Sequence, residues 1–152
     1  MAHTALQVAD KFIRLGMQSG KHFTQMQLLK LVYIAHGWTL ATTDHPLIHN
    51  QVEAWQYGPV IPDLYHELKY NGAKEIERPI LSDEASFSPH EEQVINFTFK
   101  NYGNFSAFQL SDITHAPNTP WSETYGKLNY ISDSLIATHY KELYQKYSAK
   151  TG

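Results

Sequence analysis

A chain of 152 residues with 42% apolar, 13% aromatic and 18% charged side chains has the length and composition of one globular domain. It contains no cysteine, which excludes disulfide staples, thiolate zinc sites and a cysteine nucleophile and makes a reducing cytoplasm the natural compartment. The net charge is −3 and only two arginines, Arg14 and Arg78, are present, so the clustered basic face of a general nucleic-acid binder is missing.

Met1 to Met17 carries Asp10, Lys11 and Arg14 among its apolar residues and has neither the apolar centre of a signal peptide nor the length of a membrane span. The segment reads instead as a first helix capped by Thr4, with Ala5, Ala9, Phe12, Ile13 and Gly16 on one stripe. Thr24 followed by Gln27 is a capping-box pattern, and the residues after it are apolar nearly all round. A helix of that kind is buried, so residues 25–41 are expected at the centre of the domain. Lys30 is the one charge inside it; it either snorkels to the surface, the default, or pairs with a carboxylate in a cleft.

Leu47-Ile48 and Val52-Glu53-Ala54-Trp55 flank His49-Asn50-Gln51 and read as a short hairpin or extended loop. Gly58-Pro59-Val60-Ile61-Pro62 introduces a helix that presents Ile61, Leu64, Tyr65 and Leu68 inward until Asn71-Gly72 stops it. Residues 73–87 form a loop with an extended piece expected at Arg78 to Leu81. Glu75 to Glu92 holds a net charge of −5, either a solvated loop or a docking surface for a basic partner. Ser88-Pro89-His90-Glu91 then opens a helix running to Gly103, and a shorter one spans Ser106 to Thr114. A proline-rich loop from His115 leads into a turn near Trp121 to Tyr125. Ser132 or Asp133 caps a last helix, about 133–147, with Lys141, Lys146 and Lys150 toward its C-terminal end. The fold expected is mainly α, about six helices around the buried central one, with a small β-hairpin, in a single domain spanning 1–152.

The usual signatures of dinucleotide binding, phosphate cradling and the nucleophile elbow are absent. His66-Glu67-Leu68-Lys69-Tyr70 is a zincin pattern with tyrosine in place of the second imidazole, which cannot complete a zinc site, and no metal or cofactor is expected. Asp44, His45 and His49 read as surface polar residues. Tyr33, Trp38, Trp55, Tyr57, Tyr65 and Trp121 are large rings with polar handles. Trp38 and Tyr65 fall at helical spacing and go to the core, whereas Trp55, Tyr57 and Trp121 fall in loops, where they either anchor an interface or only pack.

Thr24-Gln-Met-Gln-Leu-Leu-Lys-Leu-Val-Tyr-Ile-Ala-His36, followed by Val52-Glu-Ala-Trp-Gln-Tyr-Gly-Pro-Val60 and Ile61-Pro-Asp-Leu-Tyr65, resembles the Panacea domain, the family of SocA-like and GepA-like phage-associated proteins. Leu110-Ser-Asp-Ile-Thr-His115 with Pro120-Trp121 resembles that family's second block. The resemblance implies a mostly helical domain with a small β element, acting as the antitoxin of a two-gene toxin–antitoxin system. It further implies direct contact with a protein toxin encoded by the adjacent gene or, as in SocA-like members, delivery of the toxin to a ClpXP-type protease. Lys30, Tyr33, Trp55, Tyr57, His115 and Trp121 occupy motif positions and are the candidate partner-binding residues, while Gly58-Pro59 sets a turn. An enzymatic alternative would group His115 and Lys30 with Glu53 or Asp112 as an acid–base cluster. Residues 4–40 are the one helix-turn-helix candidate, and its second helix is too apolar to face a major groove, so direct DNA binding is disfavoured.

Overall fold

The computed structural model describes residues 2–151, and side chains as far as residue 149. Met1 and Gly152 of the expected 1–152 domain, and the Lys150 side chain, lie outside the described residues. Helix starts follow from local chemistry. Thr4, Thr24, Ser88 and Ser106 each accept from the amide three residues on, and the Gln7, Gln27, Glu91 or Gln109 side chain there accepts from the cap's own amide. These boxes open α1 (Ala5–Gln18), α2 (Gln25–Thr43), α4 (Pro89–Tyr102) and α5 (Ala107–Thr114). Pro62 begins α3 (Pro62–Leu68), which runs into a 3-10 turn at Lys69–Asn71. The turn expected near Trp121 closes into a short helix, α6 (Pro120–Thr124), because Thr119 caps it through Ser122. The Ser132 hydroxyl accepts from Leu135 N at the start of α7 (Asp133–Thr151).

Every residue of α2 from Leu28 to Leu40 is buried, with α1, α3, α4, α5 and α7 packed around it. The most extensive of these contacts is with α7, and a missing side chain permits it. A Cβ at Gly37 would lie 2.3 Å from the Tyr140 ring. His36, fully buried on the same helix, ties two neighbours to it: its Nδ1 accepts from Ile48 N at 3.4 Å and its Nε2 donates to Asp133 Oδ1 at 3.0 Å. With α2 enclosed on all sides, it has no free face to lay in a groove.

Two antiparallel pairs complete the fold. β1 (Phe23–Thr24) pairs with β4 (Glu75–Ile76), and β2 (Glu53–Trp55) pairs with β3 (Gly58–Val60). The hairpin therefore turns at Gln56-Tyr57 and not at His49-Asn50-Gln51, where the sequence placed it. Leu47-Ile48 instead lies beside the N-terminal segment, with His3 bridged to Ile48. Gly58-Pro59, read as a lead-in to α3, is strand because Gly58 at φ 123° admits the tight reversal. The other edge of β2 is covered by the segment before α7: Ala54 N donates to Asn129 O and Ile131 N to Val52 O.

The extended piece expected at Arg78 to Leu81 is displaced to Glu75–Ile76. Ile80 and Leu81 direct their amides elsewhere, at 2.8 and 3.0 Å from the buried carboxylate of Asp10, which also accepts from Arg14 Nε at 2.7 Å. Lys11 reaches Glu84 at 3.1 Å and Glu92 at 3.8 Å. Part of the acidic stretch is thus fastened to α1.

Candidate recognition surface at the β2–β3 turn

The turn at Gln56-Tyr57 is held from beneath by three side chains, each from a different helix and each donating to a different carbonyl. Trp121 Nε1, from α6, donates to Trp55 O at 2.6 Å. Ser111 Oγ, from α5, donates to Tyr57 O at 2.6 Å. Lys30 Nζ, from α2, donates to Pro59 O at 2.8 Å. The three carbonyls span the reversal: Trp55 O lies at the end of β2, Tyr57 O in the turn and Pro59 O on β3.

Lys30 does not snorkel as expected. It is 1% exposed, and its ammonium sits inside the domain on the Pro59 carbonyl with no carboxylate of the described residues bonded to it. Burial lowers its pKa to about 8. A Cβ on Gly58 would lie 2.9 Å from that nitrogen, so the glycine is required both for its positive φ and for this approach.

Around the turn the rings form a connected layer. Trp55 meets Tyr65 edge-on at 5.3 Å and its indole donates to Glu53 Oε1 at 2.8 Å. His115 meets Trp121 edge-on at 5.4 Å, and Trp121 stacks on Tyr125 at 4.7 Å. The His115 Nδ1 is hydrogen-bonded to Ser111 O. Trp55, His115 and Trp121 are half-buried supports, whereas Tyr57 is 67% exposed. Phe108, 85% exposed, lies three residues before Ser111 on the same stripe of α5.

Of the sequence candidates, the structure brings together Lys30, Trp55, Tyr57, Gly58, Pro59, His115 and Trp121. Tyr33 is apart from them: it is 1% exposed, faces Tyr140 at 6.3 Å, and its hydroxyl is buried without a hydrogen-bond partner among the described residues. Neither Lys30 nor Tyr33 has surface from which to touch a partner in this conformation. Ser111, which the sequence reading did not single out, sits inside the Leu110 to His115 block, and that block was its signal. Tyr125 and Phe108 were also missed, since nothing in their local pattern separates an exposed ring from a packed one.

Of the groups in the acid–base alternative, Glu53 accepts from Trp55 Nε1 and Lys30 donates to Pro59 O. Among the described residues no three His, Cys, Asp or Glu side chains are grouped to hold a metal ion, and no helix is long and apolar enough to cross a membrane.

The architecture is that of a mainly helical domain wrapped on a buried helix, with a small hairpin pinned to its surface by side chains from three helices. Residues 28–122, which include Lys30, the hairpin, α5 and Trp121, match the family described as "Antitoxin SocA-like, Panacea domain", and the chain belongs to that family. It is similar to antitoxin SocA of Caulobacter vibrioides (strain NA1000 / CB15N), with 36% identity over 108 residues, 64% of this chain and 57% of that protein. The match thus spans less than two thirds of the relative's length. No solved structure matches the chain.

Proposed function

We propose that this chain is an antitoxin that neutralises a protein toxin encoded by the adjacent gene, by direct contact centred on the β2–β3 turn. The observation that carries the reading is that the family match runs over the residues that build the turn and its three supports. Tyr57 is the anchor, since a large ring exposed at the tip of a held turn offers contact area at small entropic cost. Trp55, His115 and Trp121 contribute their exposed edges, and Lys30 acts from below.

The test is co-expression of the tagged chain with the product of the adjacent gene. A stoichiometric complex by native mass, together with rescue of growth, supports the reading. Absence of both ends it. Occlusion and delivery separate in the same cells: an occluding antitoxin leaves the toxin's half-life unchanged, while an adaptor shortens it only where a ClpXP-type protease is present.

A further inference from the structure

We infer that Lys30, Ser111 and Trp121 are positioning residues for recognition, fixing the conformation of the turn and so the direction in which Tyr57 is presented; this rests on the surface reading above. A two-residue turn between three-residue strands is too short to be rigid by its own ladder, and β3 is further weakened by Pro59, which has no amide to donate. Residues 129–131 hold the far edge of β2, and the turn itself is held by the three donors, one each from α6, α5 and α2, to the carbonyls of residues 55, 57 and 59.

Each donor is itself fixed. Lys30 lies within the buried stretch of α2, Trp121 is gripped between His115 and Tyr125, and Ser111 is on a helix whose Leu110 is fully buried. Lys30 is the most telling of the three. A buried ammonium with no carboxylate partner among the described residues is costly, and the bond it makes is to the turn. Gly58 leaves the gap through which it reaches. A turn ordered before encounter keeps the ordering entropy from being subtracted from binding.

Three substitutions each remove one donor and keep the bulk of the side chain: Lys30→Met, Ser111→Ala and Trp121→Phe. In the free full-length chain, amide exchange over residues 55–60 should quicken about fivefold to tenfold, with exchange in α2 and α7 unchanged. Affinity for the co-expressed product of the adjacent gene should fall by about the same factor, and the loss should vanish when the substitution is made in a Tyr57→Ala background. Ser111→Ala lies near the surface and keeps the test open if Lys30→Met fails to fold. Unchanged exchange at the turn, or a loss of affinity that adds to that of Tyr57→Ala, overturns the inference and leaves the surface reading standing. A loosened turn with full capture by Tyr57→Ala overturns the surface reading, and the inference with it.

Discussion

Lys30 shows how a single residue's environment turns into a measurable property. Its pKa falls from 10.5 to about 8 because burial disfavours the charged form. The folded chain then binds this proton less readily than the unfolded chain, so unfolding takes up a proton between the two values. The contribution of the site to stability is lowest below about pH 8 and rises as the pH climbs to 10.5. Denaturant titrations of the protein and of Lys30→Met across that window should show the difference moving in favour of lysine by up to about 3 kcal/mol. A flat difference would mean that the ammonium is better solvated than its position shows. Tyr33 offers the complementary case. Its hydroxyl is buried with no partner, so Tyr33→Phe removes an uncompensated desolvation and should raise stability by about 1 kcal/mol in the same titration. A loss of stability would reveal a bonded partner for that oxygen. Sequence identified both residues, since a charge and a hydroxyl stand out in an apolar helix, but the side chain each would face was not legible.

At the scale of elements, most boundaries were readable because they are decided within four residues. The capping boxes at Thr24 and Ser88 and the proline at the start of α3 begin helices where the sequence placed them. The two β pairs were not, because a strand of two or three residues is defined by its partner. Arg78 to Leu81 had the character of a strand, yet its amides were claimed by Asp10, some seventy residues earlier. Asp10→Ala should leave those two amides unbonded and cost about 3 kcal/mol, with faster proteolysis within residues 77–87 as the visible sign. Survival of that loop at wild-type rates would show that Lys11 and its partners suffice. The α2–α7 contact makes a second demand. Alanine favours a helix over glycine by about 1 kcal/mol, but at position 37 it would meet the Tyr140 ring at 2.3 Å. Gly37→Ala should therefore destabilise by about 1–3 kcal/mol, and a Tyr140→Leu background should recover part of the loss.

Over the whole molecule, the exposed rings divide into those set on the turn and those elsewhere. Tyr57→Ala should lower capture of the product of the adjacent gene at least tenfold with the thermal midpoint little changed, as expected for an anchor whose ring is mostly exposed in its own chain. Tyr70, 86% exposed after α3 and outside the layer around the turn, serves as the control, and Tyr70→Ala should bind at full strength. Equal losses from both would place the contact elsewhere or make it diffuse.

What the amino-acid order determined alone was the class of fold, the central buried helix, most helix starts and the family motifs, because periodicity and capping are written in residues three or four apart. What only the tertiary structure decided was the geometry of the candidate site. Lys30, Ser111 and Trp121 are separated by up to 91 positions, and that they converge on the five residues 55–59 follows from how α2, α5 and α6 pack. The same packing sends the Lys30 ammonium inward and leaves the Tyr57 ring outside. Local pattern can record the chemistry of a side chain, but its exposure and its partner are properties of the packed chain.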